Sequence, residues 1–362
     1  MSYKVYSLGE LVQIKYGKNQ KKVVSDDGSF PIYGTGGLMG YAIEYLYDKP
    51  SVLIGRKGTI NKVKYVDHPF WTVDTLFYTV VNEEIVIPKY LYYLMSLLDL
   101  EAYNEGTTIP SLRTETLNRL EFTIPSIDIQ KEILSCLNPI DEKIELNNKI
   151  NYNLEQQAIT LFRKYYNTAT AVVPFTSMIQ VLGGGTPKTS EPSFWNGTIP
   201  FFTPKDVGFP YAFVTEKTIT PEGLNHCNSR LYPLNTVFVT ARGTVGKVSL
   251  AGCPMAMNQS CYALVGMDID QLLAYHYTLV TVDKLKHKAS GAVFDAIITK
   301  DFETESVSKI SDGDADTFLA IAKPLYETIL SNCLENQRLT SMRDALLPQL
   351  MSGKIDVSEV EI

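Results

Sequence analysis

Between Asp128 and Tyr166 apolar residues fall at Ile133, Leu137, Ile140, Ile144, Leu154, Ala158, Leu161 and Tyr165. The steps alternate four and three once Asn147 and Asn151 are placed in the same stripe, which is a heptad a/d seam with two polar members. A helix over this segment would be ~58 Å long at ~1.5 Å per residue. So narrow a seam suits one partner helix, and the same chain supplies it. Adding 185 to each number reproduces the pattern at Phe318, Ala322, Leu325, Ile329, Asn332, Asn336, Leu339, Arg343, Leu346 and Leu350, and Pro139 recurs as Pro324. Proline lacks a backbone donor and clashes with the preceding turn, so the pattern predicts a short helix ending near Leu137 and a long one from Pro139 to about Tyr166. Ile133, Leu137, Ile144, Asn147, Asn151 and Leu154 are expected to pack against Ile329, Asn332, Asn336 and Leu339. The asparagines either fix the register of that packing or lie exposed at a frayed contact.

The repeat extends beyond the helices. VLIGRKGTINKV at 52–63 and VFVTARGTVGKV at 237–248 align at the same shift, 243 − 58 = 185, as do Gly106 with Gly291 and Phe77 with Tyr262. Nearer the start of each copy the shift falls to about 169, where FPIYGTGG at 30–37 faces IPFFTPKD at 199–206, so the second copy carries an insertion. A repeat this long means two copies of one domain related by approximate twofold symmetry, not a solenoid. The chain then reads as globular unit, long helix, globular unit, long helix.

Within the first unit SLGELVQI suggests a short helix. FPIYGTGG, SVLIGRKGT, INKVKYV and FWTVDTLFYTVV suggest short strands of a mixed or antiparallel sheet, and PKYLYYLMSLLDLEAY at 88–103 a helix opened by Pro88. NTATAVVP at 167–174 reads as a linker, and LLAYHYTLVTVDKLKH at 272–287 takes the place of the 88–103 helix. The second long helix runs from about Ala315 to Met351, followed by a polar, mobile tail, SGKIDVSEVEI.

The 362 residues suffice for two domains, each with its own core. Hydrophobic content of 45% and charged content of 20% describe a soluble globular protein. Five cysteines without a CxxC pair suit a reducing cytosol, and four scattered histidines give no metal spacing. No signal segment or long apolar run marks export or membrane spanning. The net charge of −7 argues against nucleic acid until its distribution is read. Residues 311–362 carry 4 basic against 9 acidic side chains, whereas residues 16–64 carry eight basic (Lys18, Lys21, Lys22, Lys49, Arg56, Lys57, Lys62, Lys64) against four acidic. That local surplus suits a phosphate-facing surface, with ordinary solvated charge as the alternative.

No catalytic centre is legible. YGTGG and VLGGG sit in no clear βαβ unit and suit tight turns. ARGTVGKV fails as a phosphate loop, because Val248 follows Gly246-Lys247 and position 241 is Ala. What repeats is a Gly-Thr turn flanked by cations: Arg56, Lys57 and Lys62 in one copy, Arg242 and Lys247 in the other. Such a turn brings backbone N–H groups and cations to a phosphate, or is a β-turn with incidental charge. Of the nearby Tyr33, Trp71, Tyr78, Trp195 and Gln259, the pair in polar loops, Tyr33 and Trp195, are the candidates for contact.

LLPQLMSGKID at 346–356 and IPSIDIQKEI at 124–133, continuing through IDEKIELNNKINYNLEQQAITLFRKYY, together with the long repeat, resemble the specificity subunit of prokaryotic type I restriction–modification systems. Ile129 stands where the family has glutamate and Ser126 where it has a second proline, and SDGDADTF replaces the opening phrase in the second copy. The resemblance covers essentially the whole chain. It implies an α+β architecture of two pseudo-twofold-related α/β target-recognition domains separated by two long antiparallel, coiled-coil-like helices. The domains fall at 1–125 and 172–311, with spacer helices at 126–171 and 312–362. It implies a cytoplasmic, non-catalytic subunit that reads a bipartite double-stranded DNA site. Its partners are two methylation subunits using S-adenosylmethionine and restriction subunits using ATP and Mg. Candidate DNA contacts are Lys18, Lys21, Lys22, Tyr33, Thr35, Arg56, Lys57, Lys62 and Arg113 in the first domain and Lys188, Trp195, Lys205, Arg242 and Lys247 in the second. The competing readings are a helical scaffold that assembles proteins without reading sequence, suggested by the acidic last helix, and an enzyme fused from two copies of an unrecognised domain.

Overall fold

A computed structural model describes residues 3–288 and 296–355; Gly291 and the end of the tail, 356–362, lie outside the described residues. The chain divides into two units, residues 1–144 with 338–362 and residues 145–337. Each contains a globular body and a portion of each long helix.

In the first unit a four-stranded antiparallel sheet runs in the order Val12–Tyr16, Leu76–Val81, Ser51–Gly55, Val63–Val66. Its central strand is the uninterrupted apolar run SVLIG, because both faces are covered. Val52 and Ile54 face a core made by Tyr90, Leu91 and Met95 of the helix Pro88–Ser96 and by Leu137 and Leu350 of the long helices. Leu53 faces the other way, onto Tyr33, Val66, Phe70 and Leu76. A smaller sheet pairs Gly37–Ala42 with Phe30–Gly34 and, in parallel, Phe30–Gly34 with Trp71–Thr72. Lys4–Ser7 pairs with Glu121–Ile124 where the chain enters and leaves the body.

The second unit repeats this layering. Val237 and Val239 of the strand Val237–Thr240 face the core that includes Phe162 and Phe318, and Phe238 faces Phe202 and Tyr232. Register repeats residue for residue: Leu53 opposes Tyr78 as Phe238 opposes Ala263, and Ile32 opposes Trp71 as Phe201 opposes Ala256. The shift is 185 for the first correspondence and 169 against 185 for the second, so the insertion lies between the first sheet strand and the Gly-Thr turn. The main sheet gains one short strand, Tyr211–Ala212, beside Val248–Ala251.

Several expectations require correction. Residues 171–174 are not a linker: Ala171–Pro174 is a strand paired with Ser306–Lys309, the counterpart of the entry pair in the first unit. The 88–103 helix stops at Ser96, and Leu100–Tyr103 is a separate 3₁₀ turn. There the Ser96 hydroxyl donates to the Tyr93 carbonyl at 2.7 Å, and the Asp99 carboxylate accepts from the Glu101 N–H at 3.1 Å. SLGELVQI is helical only over Leu8–Leu11 and is a strand from Val12. At the chain end Ser352–Ile355 is fixed, because Gly353 (φ +70°) lets Lys354 N–H reach the Gln349 carbonyl at 3.0 Å, and Ile355 packs on the core.

The long helices are Ile127–Thr168, 42 residues, and Asp312–Met351, 40 residues. Pro139 does not restart the first. Leu134, Leu137 and Ile140 are buried on both sides of it, and their burial outweighs one missing backbone bond. The buried stripe also departs from a strict heptad. It runs through Ile133, Leu137, Ile140, Asn147, Asn151, Glu155, Ala158, Phe162 and Tyr166, replacing Leu154, Leu161 and Tyr165 by their next neighbours. A straight α-helix slips ~20° per heptad against a 3.5-residue repeat, so over this length the inward face moves by about one position.

Polar pairs bind the helices within each unit. In the first, Asp141 accepts from the Tyr93 hydroxyl at 2.5 Å and from Arg343 at 3.0 Å, with Lys89 at 3.6 Å. In the second, Asn147 Nδ2 donates to Asn336 Oδ1 at 2.9 Å and Asn332 Nδ2 to Asn151 Oδ1 at 2.8 Å. The asparagines pair with one another, and Asn147 and Asn151 are buried, so the contact is not frayed. Ile329 is buried, whereas Ile144, Leu154, Asn332, Asn336 and Leu339 are half-buried.

Glu155 replaces a leucine in the stripe at a cost. One carboxylate oxygen accepts from the buried Tyr275 hydroxyl at 2.5 Å, and the other has no partner. Burial pushes its pKa up to about 7, against the opposing effect of the Tyr275 hydrogen bond. A carboxyl whose folded pKa exceeds its unfolded value stabilises most below the unfolded value, 4.5, and loses that contribution as pH rises towards 7. Glu155→Gln is therefore expected to be more stable than the parent at pH 8, by up to about 3 kcal/mol, with the difference shrinking towards pH 5. Urea titrations of both proteins at the two pH values test this. His276 is held neutral by burial and acts in the opposite sense below pH 6.5 in both proteins, so it cancels in the difference.

Candidate nucleic-acid interface

The Gly-Thr turns are braced identically in the two units. In the first, Arg56 N–H donates to the Thr75 carbonyl at 2.8 Å, Leu112 N–H donates to the Arg56 carbonyl at 3.0 Å, and Lys57 bridges Ser111. In the second, Ala241 N–H donates to the Ser260 carbonyl at 2.8 Å, Ile297 N–H donates to the Ala241 carbonyl at 2.9 Å, and Arg242 bridges Ala296. Every residue of the second set is the first plus 185. The turns need glycine: Gly58 has φ +91° and Gly243 has φ +80°. With the backbone held from both sides, the side chains left outward are Lys57 and Lys62 in one unit and Arg242 and Lys247 in the other, all exposed. The neighbouring loop also corresponds. Thr35, half-buried, lies against Gly58, and the Thr244 hydroxyl donates to the Pro204 carbonyl at 3.2 Å.

The other candidates separate by what they touch. Lys18, Lys21 and Lys22 are exposed on a segment pinned where Trp71 Nε1 donates to the Lys18 carbonyl at 2.9 Å. Arg113 is exposed but 3.1 Å from Glu105, and Lys205 is 3.2 Å from Glu216. Lys188 is exposed, and its carbonyl accepts from Trp195 Nε1 at 3.2 Å.

Three placements differ from the sequence expectation. Tyr33 is in no polar loop: it lies in the strand Phe30–Gly34, is 8% exposed, and its hydroxyl is 3.3 Å from His68 Nε2. The second sheet face, invisible to local pattern, buries it. Trp195 opens the strand Trp195–Phe202 and is half-buried edge-on against Phe201, with Lys217 over its ring. Arg56 is half-buried, donates to the Asp74 carbonyl at 2.9 Å and stacks over Tyr16. It is a structural cation, and the counterpart of Arg242 is Lys57. Trp71 is buried, Tyr78 packs beside Phe70, and Gln259 accepts from the Thr186 hydroxyl. Sequence reading missed the exposed apolar tip Leu38 and Met39 beside Thr35, which no charge or motif marks. Among the described residues no group of His, Cys, Asp and Glu is placed to hold a metal ion, and no helix is long and apolar enough to cross a membrane.

A duplicated mixed α/β body, each copy presenting a braced Gly turn with outward cations, defines a two-module binding protein. Residues 2–156 and 170–308 each match the type I restriction modification DNA specificity domain. The chain belongs to that family. It is 24% identical over 375 residues to the type I restriction enzyme HindI specificity subunit of Haemophilus influenzae, covering 79% of this chain and 81% of that protein. It is 23% identical over 345 residues to the MjaIX specificity subunit of Methanocaldococcus jannaschii, covering 87% and 80%. Among solved structures, the S subunit of a type I restriction–modification system from M. genitalium superposes with a TM-score of 0.53 at 16% identity, covering 97% of this chain and 96% of that one, a likeness of fold. The chain is thus a specificity-subunit homologue with two recognition domains.

Proposed function

We propose that this chain reads a bipartite DNA target, one half-site per recognition domain, within a type I restriction–modification complex. The observation that carries the reading is the turn repeated at a constant shift, with Lys57 matched by Arg242 and Lys62 by Lys247. Two copies of one reading surface in one chain suit a split site. The recognition domains are 1–125 and 172–311. The helical segments 126–171 and 312–362 set the gap between half-sites, supported by helices of 42 and 40 residues. At ~1.5 Å per residue these reach about 60 Å, enough to span one ~34 Å turn of DNA. The segments also dock two methylation subunits and the restriction subunits. S-adenosylmethionine, ATP and Mg belong to those partners, and this chain does no chemistry itself. It works in the cytoplasm.

Lys18, Lys21, Lys22, Thr35, Lys57, Lys62 and Arg113 form the first DNA surface, and Lys188, Trp195, Lys205, Arg242 and Lys247 the second. Anisotropy measurements of the chain assembled with its methylation subunits, over a library of split duplexes, test the reading. A preference confined to two short blocks at a fixed gap is expected. Uniform affinity across the library would replace it with the protein-assembling scaffold.

A further inference from the structure

A cavity of about 610 Å³ opens in the second unit between the 204–209 loop, the Gly246-Lys247 turn, the helix Gln271–Lys288 and the first long helix. Its volume falls within the roughly 300–1,000 Å³ of small-ligand sites. Phe162, Val248, Leu279 and Val282 line it with apolar surface, while Arg163, Lys205, Lys247 and Lys286 bring four cations against one carboxylate, Asp283. Lys205 is engaged by Glu216 at 3.2 Å. Arg163, Lys247 and Lys286 form no ion pair among the described residues, and Asp283 is 3.8 Å from His287.

Lys286 lies over the turn beside Lys247: a Cβ built on Gly246, where φ is +72°, would lie 2.5 Å from Lys286 Cε. Burial and then the neighbouring Lys247 lower the Lys286 pKa, with Asp283 acting in the opposite sense. Phe209, also lining the cavity, is 59% exposed, with Tyr152 beside it at 6.4 Å between ring centroids, and offers an aromatic surface at the rim.

The repeat shows that this is no general feature of the module. Subtracting 185 turns Lys286 into Glu101, adding 185 turns Arg163 into Pro348, and subtracting 169 turns Lys205 into Gly36. Phe162 and its counterpart Leu347 are both buried, so the correspondence holds while the charge does not. Lys247 keeps a cation at its counterpart, Lys62, but Arg163, Lys205 and Lys286 do not, so a role in holding duplex backbone common to both modules does not account for the whole cluster.

We propose that this cavity binds a nucleotide, its phosphates on Arg163, Lys247 and Lys286 and its base against Phe209. Phosphate and base together are the shared chemistry, supplied by a free nucleotide or by a nucleotide of a DNA strand. Calorimetric titration of the full chain with ADP, adenosine and inorganic phosphate tests it. ADP should bind about ten-fold or more tightly than either fragment, because charged and stacking contacts act together. Lys286→Glu, the charge found at position 101, and Lys286→Gln should each weaken ADP about ten-fold while far-UV circular dichroism is unchanged, and Phe209→Ala should bring ADP towards phosphate. Duplex DNA that displaces ADP assigns the site to a strand nucleotide; duplex that leaves ADP bound assigns it to a free one. Phosphate or adenosine binding as tightly as ADP, no ADP binding at millimolar concentration, or full affinity in both Lys286 variants would overturn the proposal.

Discussion

Arg242→Ala is expected to abolish discrimination at one half-site and leave the other intact. Arg242 is exposed beside a left-handed glycine, and its backbone is tied to Ala296 and its neighbour's to Ser260, so the guanidinium projects from a rigid base. A preorganised arginine loses little entropy on contact, and removing such a contact costs about 1–3 kcal/mol, or roughly 5- to 150-fold in affinity. Lys57→Ala should do the same for the other half-site, more weakly if it meets phosphate alone, and should flatten the salt dependence. Arg56→Ala serves as the contrast. Its side chain is spent on the Asp74 carbonyl and the Tyr16 ring, so it should lower stability and leave sequence preference in place. Binding of each variant to duplexes mutated in one half-site at a time separates these outcomes. If Arg242→Ala affects both half-sites equally, the one-domain, one-half-site assignment fails.

Phe162→Ala is expected to be the most destabilising single change in the second unit, at about 3–5 kcal/mol. The ring is fully buried and meets His276, Tyr277, Tyr166 and Phe318, thereby joining the first long helix, the helix Gln271–Lys288 and the second long helix in one cluster. Its loss leaves a cavity that three rigid elements cannot close, so the cost exceeds simple transfer of the side chain. Urea denaturation followed by circular dichroism should show a lower midpoint. Leu161→Ala, one position along and half-buried, should cost clearly less. Equal losses for the two would restore the heptad seam predicted from sequence.

Period and repetition were legible without coordinates. The 185-residue shift located the turn, and the pairing of Asn147 with Asn336 and of Asn332 with Asn151 follows from placing four asparagines in two stripes. Periodicity could not say which neighbour faces inward after several turns, since a drift of ~20° per heptad is below its resolution. That drift decides Phe162 over Leu161 and Glu155 over Leu154. Nor could local pattern tell that Tyr33 is enclosed, because the strand that covers it comes from Leu53, twenty residues later.

The sequence by itself determined a duplicated α/β module, two long helices and a cation-flanked glycine turn in each copy, because repetition and hydrophobic period are written along the chain. Only the tertiary structure decided which cations are free. Arg56 and Lys57 flank the same turn in sequence, yet the first is consumed by a carbonyl and a tyrosine ring and the second projects from the braced turn. The reason is physical: a charge is available to a partner only when the fold has not already satisfied it, and the satisfying groups at Tyr16 and Asp74 lie far along the chain.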